Sequence, residues 1–239
     1  MMPLMDLGAF SLRQYIVELR YPENFKLWDE AGSLWTELKS QFSGLRLISA
    51  QPNSTAFVCD PDLEFGVDLN RMSFVSHREK AEAARENATK FLSLVTGKLK
   101  IRQFHRVGLR QIFDRKFESQ EKLDAEFIEL NLSTLRAGKF FGIQSKSISN
   151  SEIAGRISDG KNGVVVKLKT ETVRSQLDVP MGLRDLFSDK SVEQHLMILD
   201  VDYYIDALVS SDAFSADVWL EQASRVIRRD MSSFLRGGS

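Results

Sequence analysis

The sequence is poor in the residues that build disulfide frameworks and metal sites. It has one cysteine, Cys59, and three histidines, His77, His105 and His195. A single cysteine forms neither an internal disulfide nor a thiolate cage, so we expect a reducing compartment. No second ligand type lies beside any histidine at metal-site spacing, so these histidines are expected to be structural or surface residues. The sequence predicts no metal and no cofactor.

Long apolar runs and an excess of one charge are also missing. The N-terminal segment MMPLMDLGAF lacks the basic and apolar regions of a signal peptide, and no run approaches the ~18 apolar residues of a membrane span. With 32 Lys and Arg against 33 Asp and Glu, the formal net charge is −1. Proteins that coat nucleic acid or anionic membranes need a clear excess of Lys and Arg. We expect a cytoplasmic protein with no membrane partner, and nucleic acid is a less favoured partner than protein.

Motifs of the common catalytic classes are absent as well. The chain has no G-x-x-x-x-G-K-[ST], G-x-G-x-x-G, H-E-x-x-H or G-x-S-x-G segment. These absences remove the sequence support for phosphate-binding loops, zinc peptidases and the hydrolase elbow. Nothing in the sequence assembles a nucleophile, a base and an orienting group. The sequence therefore leans against an enzyme and leaves the question open.

Strongly periodic segments fill the first half of the chain. Alternating and helical spacings predict strand, helix, strand, strand, helix and strand, at Leu12–Tyr21, Leu27–Phe42, Leu45–Cys59, Leu63–Val75, Arg78–Thr96 and Leu99–Phe117. The middle pair reads as a hairpin turned by Asp60-Pro61-Asp62. This order is that of the ferredoxin-like βαββαβ unit.

The second half has a looser pattern of the same α+β kind. In chain order it predicts a helix at Ser119–Leu135, strands at Gly142–Ile157 and Val164–Val173, a short helical turn at Leu183–Phe187 and a strand at Glu193–Tyr204. A last helix begins after Ser215. The first two strands form a hairpin around Asp159–Gly163. No Pro/Gly/Ser-rich linker separates the halves, so we place them at 1–118 and 119–239 and expect tight packing.

The densest polar pattern lies on the predicted strands. Arg102, Arg106 and Arg110 share one strand face with Gly108, because alternate side chains of a strand point the same way. We expect the same face to hold charged and polar residues of two other strands, namely Glu18, Arg20, Asp68 and Asn70. Arginine forks suit phosphate and carboxylate groups, so an anion site and a structural salt-bridge network are both open.

A pair of carboxylates, Asp200 and Asp202, forms the second polar pattern. Two positions apart on a strand, both face one side, and such a pair can hold Mg²⁺ through water. No third ligand is evident, so we favour pairing with the arginines across the junction of the halves. The candidate anion-binding or partner-binding site, or inter-half charge network, comprises Arg20, Arg106, Arg110, Asp200 and Asp202.

Three short strand motifs carry a resemblance to a known group. Tyr15–Tyr21 (YIVELRY), Arg106–Arg110 (RVGLR) and Leu199–Tyr203 (LDVDY) resemble, in this order, a sporadically distributed family of uncharacterised bacterial proteins of about 250 residues with VxxVRF-, RVGLRY- and LDIDxY-like strands. Gln111 stands where that family has an aromatic residue. The resemblance implies a bacterial, cytosolic α+β protein and supplies no reaction.

These observations favour a non-enzymatic binding or accessory protein, such as a protein-partner subunit of a bacterial defence or regulatory operon, or a homo-oligomer. The alternative is an RNA-binding or RNA-processing protein built from tandem ferredoxin-like units. The near-neutral charge and the lack of a glycine-rich loop near the C-terminus favour the first hypothesis.

Overall fold

The computed structural model describes residues 6–59, 62–77, 80–130, 132, 139–140, 143–144, 151–176 and 191–236. The helices are α1 (Lys26–Gln41), α2 (Ala81–Leu99), α3 (Gln120–Glu129) and α4 (Ala216–Leu235), preceded by a 3-10 turn at Leu7–Ala9. The strands are β1 (Ser11–Arg20), β2 (Leu45–Gln51), β3 (Ser54–Cys59), β4 (Leu63–Asp68), β5 (Arg71–His77), β6 (Gln103–Phe104), β7 (Arg106–Phe117), β8 (Lys139–Phe140), β9 (Ile143–Gln144), β10 (Glu152–Ser158), β11 (Asn162–Gln176), β12 (Ser191–Ile205) and β13 (Val209–Ser210).

Nine of these strands form one sheet in the order β10-β11-β12-β7-β1-β5-β4-β3-β2. Every pairing within it is antiparallel. The pairs β13-β6 and β8-β9 form two small separate ladders. The long strands β7, β11 and β12 lie side by side, so residues of both halves of the chain meet near the middle of the sheet.

The four helices pack on one face of the sheet. Strand alternation buries Tyr15, Val17 and Leu19 of β1 on that face. Trp35 of α1 stacks on Phe57 of β3 at 5.6 Å between ring centroids. The other helices make similar contacts with side chains of the same sheet face, namely Phe91 of α2 with Phe74, Glu126 of α3 with Arg115, and Trp219 of α4 with Tyr203. The apolar core therefore lies between the helices and this face.

The α+β class is confirmed, whereas the ferredoxin-like strand order is not. The segment expected to form a two-stranded hairpin, Leu45–Val75, forms the four-stranded meander β2–β5. The first extra break falls at Pro52-Asn53, and both residue types favour a turn over a continued strand. The second falls at residues 69–70, between β4 and β5.

The second half follows the predicted order where the structure describes it. The helix α3, the hairpin β10–β11, the strand β12 and the helix α4 succeed one another. The predicted boundary after residue 118 falls between β7 and α3, yet the sheet continues across it through the β7–β12 pairing. The predicted turn at Asp60-Pro61 and the helical turn at Leu183–Phe187 lie outside the described residues. Within the described part of the chain, no helix is long and apolar enough to span a membrane.

Helix α2 runs past Thr96, where the sequence predicted its end. Gly97 stays helical and the helix ends at Leu99, after which Lys100 adopts a left-handed conformation with φ of 50°. The Lys100 N–H donates to the carbonyls of Gly97 and Thr96, which satisfies the last turn. A left-handed conformation costs a side-chain-bearing residue about 1–2 kcal/mol.

We therefore predict that Lys100→Gly raises the free energy of unfolding by about 0.5–1 kcal/mol, because glycine adopts this conformation without a Cβ clash. The measurement is chemical denaturation. The matched control is Lys90→Gly at an exposed position inside α2, which should lower stability by about 1 kcal/mol. Equal losses in the two variants would contradict the prediction.

Candidate functional site

The sheet face opposite the helices carries the candidate site, and we call it the open face. Strand alternation places there the even-numbered residues of β1, β7 and β12, which include Glu18, Arg20, Arg106, Arg110, Asp200 and Asp202. Arg71 of β5 and Asp68 of β4 lie on the same face. The five residues singled out from the sequence are therefore on one surface, formed by adjacent strands.

Three arginines face one another at one end of these strands. Arg20 is the register partner of Arg71 on β5 and of Arg106 on β7. Like charges at directly opposed positions repel. The repulsion is offset because each arginine contacts a carboxylate of its own: Arg20 Nε lies 2.7 Å from Glu18 Oε1 and Arg71 Nη2 lies 2.6 Å from Asp68 Oδ2.

The third arginine of this row, Arg106, reaches across Gly108 to the neighbouring strand. Its Nη2 donates to Asp202 Oδ2 at 3.0 Å. A Cβ placed on Gly108 would lie 3.6 Å from Asp202 Oδ1. This is an ordinary van der Waals distance, so the space beside Gly108 holds a methyl-sized group and is bordered by the Asp202 carboxylate.

The Arg106 guanidinium also stacks on Tyr204. Its Cζ lies 3.9 Å from the centroid of that ring, within the range of a cation–π contact. The ring is 2% exposed. It covers Gly163 of β11, since a Cβ at that glycine would come within 2.4 Å of the ring. Gly163, Tyr204 and Arg106 therefore form three stacked layers.

Arg110 forms the second link between β7 and β12. Its Nε and Nη2 donate to the two oxygens of Asp200, at 2.7 and 2.6 Å. This two-point geometry is the strongest arrangement of an arginine and a carboxylate. The hydrogen bond to Asp200 raises the pKa of Arg110 above its ordinary value, against the opposing effect of partial burial.

Asp202 is a partly buried carboxylate on this face. Partial burial raises the pKa of the Asp202 carboxyl above its ordinary value, and the charges of Arg106 and Arg110 oppose that shift. Keeping this carboxylate ionised therefore costs free energy, which the two arginines reduce.

The structure brings together four of the five predicted site residues as two pairs, Arg106 with Asp202 and Arg110 with Asp200. Arg20 lies beside them and contacts Glu18 of its own strand. The prediction that Arg102 shares a strand with Arg106 and Arg110 is wrong. Arg102 precedes β6, because α2 continues to Leu99 and the chain turns before β7 begins.

Sequence reasoning missed Tyr204 and Arg71. Tyr204 stands two positions after Asp202, so strand alternation alone would have placed it on the same face. Arg71 was missed because the break between β4 and β5 was not predicted.

The two aspartates do not fit a magnesium site. Each already accepts hydrogen bonds from an arginine, and a cation would have to displace that guanidinium. Among the described residues, no group of three or more His, Cys, Asp and Glu side chains is arranged to hold a metal ion. The open face is a surface of paired ions.

We predict that Arg106→Ala lowers the free energy of unfolding by about 1–2 kcal/mol, or about 2–8 °C in melting temperature, because it leaves a half-buried carboxylate without its donor. The control is Arg174→Ala. That arginine also pairs with a carboxylate, Glu193, but its side chain is 75% exposed, so the loss should stay within about 0.5 kcal/mol.

The Arg106→Ala deficit should also depend on pH. Removing this arginine raises the pKa of Asp202 further, since its charge opposes the effect of burial. A carboxyl with a raised folded-state pKa destabilises the fold while ionised, and the penalty is relieved as pH falls through that pKa. Melts should therefore differ most near pH ~7 and converge toward pH ~4. A deficit that is constant over this range would refute the electrostatic origin.

A third prediction concerns the layer under Arg106. Gly163→Ala should destabilise the fold by about 1–3 kcal/mol, because the added Cβ forces the buried Tyr204 ring to move. Gly155→Ala on the neighbouring strand is the control, since a Cβ there meets nothing within 4 Å. Thermal melts of both variants test the prediction, and equal melting temperatures would contradict it.

Comparisons with known proteins do not identify a function for the open face. No family model matches the chain. No curated protein matches it significantly either.

Proposed function

We propose that the chain is a non-enzymatic binding protein whose open face binds a protein partner that carries both charge signs. The observation that supports this most directly is the pairing of the arginines. Arg20, Arg71, Arg106 and Arg110 each contact a carboxylate of this chain.

The pairing of these arginines with carboxylates favours a protein ligand over a phosphate or a nucleic acid. A phosphate or nucleic acid bound by these arginines would have to displace carboxylates that already neutralise them, and it would meet the same carboxylates as repelling charges. A protein surface with interspersed acidic and basic groups meets no such net repulsion. The charge pattern thus favours a protein partner over RNA, the alternative function.

The same face links the proposal to the bacterial family that the sequence resembles. The three motifs of that resemblance lie on β1, β7 and β12, which are adjacent in the sheet. Their odd-numbered residues supply the core, and their even-numbered residues supply Glu18, Arg20, Arg110, Asp200 and Asp202. We include membership of that family in the proposal, together with a bacterial cytoplasmic location.

We also propose that the first half of the chain is an expanded ferredoxin-like unit. Helices follow β1 and β5, and the last strand, β7, returns to pair with β1. A four-stranded meander stands where the ferredoxin-like unit has a hairpin. This interpretation is supported by the position of β1 between β5 and β7.

The experiment is affinity purification of the tagged full chain from cells of the source organism, with Arg110→Glu and Arg174→Glu in parallel. We expect one stoichiometric protein with the parent and with Arg174→Glu, whose arginine lies on the helix-covered side. We expect its loss with Arg110→Glu, because the reversed charge repels Asp200 and removes the pattern that the partner meets.

A second arm tests the alternative function. Parent and variants are mixed with labelled single-stranded RNA at ~150 mM salt, where weak non-specific binding is largely suppressed. Binding by the parent that Arg110→Glu abolishes would replace the protein-partner proposal by the RNA one. Equal recovery of the same partner with both variants would remove the open face as its binding surface.

A further inference from the structure

The opposite end of the sheet carries an apolar groove that the open face does not involve. It lies on the helix side, between α4 and the hairpin β10–β11, and has a volume of about 450 Å³. The walls and floor include Val226 and Phe234 of α4, Ile153 and Ile157 of β10, and Val164 and Val166 of β11. Ile157 is 71% exposed although it belongs to this apolar surface.

The groove borders an edge strand with free pairing capacity. Strand β10 is last in the order of the sheet, and within the described residues it pairs with β11 alone. Ser151 O accepts from Thr170 N and Asp159 N donates to Asn162 O. Odd-numbered residues thus bond to β11, and the backbone groups of Glu152, Ala154, Arg156 and Ser158 point outward.

Within the described strand this edge has neither a proline nor a bulge, and its charged residues are Glu152 and Arg156. Its seven residues pair with β11 without a register shift, and none is proline. The opposite edge, β2, has an irregularity between Leu47 and Ser49. Bulges and prolines are common devices that keep sheet edges from joining, so the two edges differ in their capacity to pair.

We propose that β10 pairs antiparallel with β10 of a second copy of this chain, about a two-fold axis at Gly155. This arrangement is independent of the proposed partner on the open face. Each copy would supply the outward N–H and C=O groups of Glu152, Ala154, Arg156 and Ser158 to its counterpart. The two sheets would become one continuous sheet.

The residue pattern of β10 is complementary to itself in this register. Ile153 meets Ile157 of the second copy on the groove side, which covers the exposed Ile157 and extends the apolar surface across the axis. On the other side Ala154 meets Arg156, and Glu152 meets Ser158. The two diagonal neighbours of Arg156 in the second copy are Glu152, a pair of opposite charge, and Arg156, a pair of like charge.

Neighbouring registers are less favourable. An axis at Arg156 sets the two Arg156 side chains directly opposite each other, which is destabilising. An axis at Ala154 leaves Ser158 without a partner inside the strand and separates the isoleucines. The axis at Gly155 alone pairs all seven residues of β10.

A cysteine cross-link tests the register. In the proposed dimer, position 155 faces itself as a non-hydrogen-bonded pair with Cα atoms ~4.5 Å apart, a distance that a disulfide spans. A Cβ at 155 meets nothing within 4 Å in the described part of the monomer. We expect Gly155→Cys to form a disulfide-linked dimer on mild oxidation, whereas Ala154→Cys and the parent, whose Cys59 is buried, do not.

Sedimentation of the uncross-linked chain tests the interface itself. The parent should be dimeric, and Ile157→Lys should be monomeric with an unchanged fold by circular dichroism, because it places a charge at the centre of the new apolar contact. The matched control is Ile48→Lys on the β2 edge, where the isoleucine is 62% exposed, and it should remain dimeric. A parent that is monomeric at every concentration, or equal linkage at positions 154 and 155, would overturn the proposal.

Discussion

The pairing of β7 with β12 is the constraint on which the rest of this structure depends. It runs without a register shift from the pair Phe117–His195 to the pair Val107–Ile205. The two strands come from different halves of the chain, and their ladder makes one sheet of what the sequence divides into two α+β units. Because the register of a strand fixes which residues share a face, this ladder decides both the core and the open face.

Over the segment that holds the ion pairs, strand alternation gives the two faces opposite characters. On one side Leu109, Val201 and Leu199 are fully buried under the helices. On the other side Arg110 and Asp200 form a two-point ion pair with the arginine 46% exposed. A one-residue slip would exchange these sets, burying charges under the helices and exposing the core. The charged row thus helps to specify the register, even though exposed ion pairs add little to stability.

Strand alternation was enough to place Glu18, Arg20, Arg106 and Arg110 on one face from the sequence, because the rule is local to each strand. Arg102 was placed wrongly because helix α2 continues past Gly97, whose low helix propensity was outweighed by the burial of Leu99. The four-stranded meander was missed because Leu45–Cys59 was interpreted as one strand despite Pro52.

Contacts between distant strands were the hardest to predict. The layer of Gly163, Tyr204 and Arg106 requires the registers of β11 on β12 and of β12 on β7 at the same time. Each register is set by packing over the whole strand, so no local pattern reveals that the glycine lies under the ring. The residue order that supports the proposed pairing of β10, in contrast, is visible in seven residues once the position of the strand at the edge is known.

The charges of the open face are balanced within the chain, and this balance shapes what the protein can bind. A row of unpaired arginines would attract any polyanion, whereas arginines already held by carboxylates offer hydrogen-bond donors without a strong net field. Asp202 is central to this balance, because burial alone would favour its neutral form and Arg106 and Arg110 oppose that tendency. If Asp202 were neutral, Arg106 would be left with an uncompensated charge over the Tyr204 ring, and the face would become more attractive to anions. The Asp202 carboxylate, 30% exposed, thus balances the charges of the arginines within the chain.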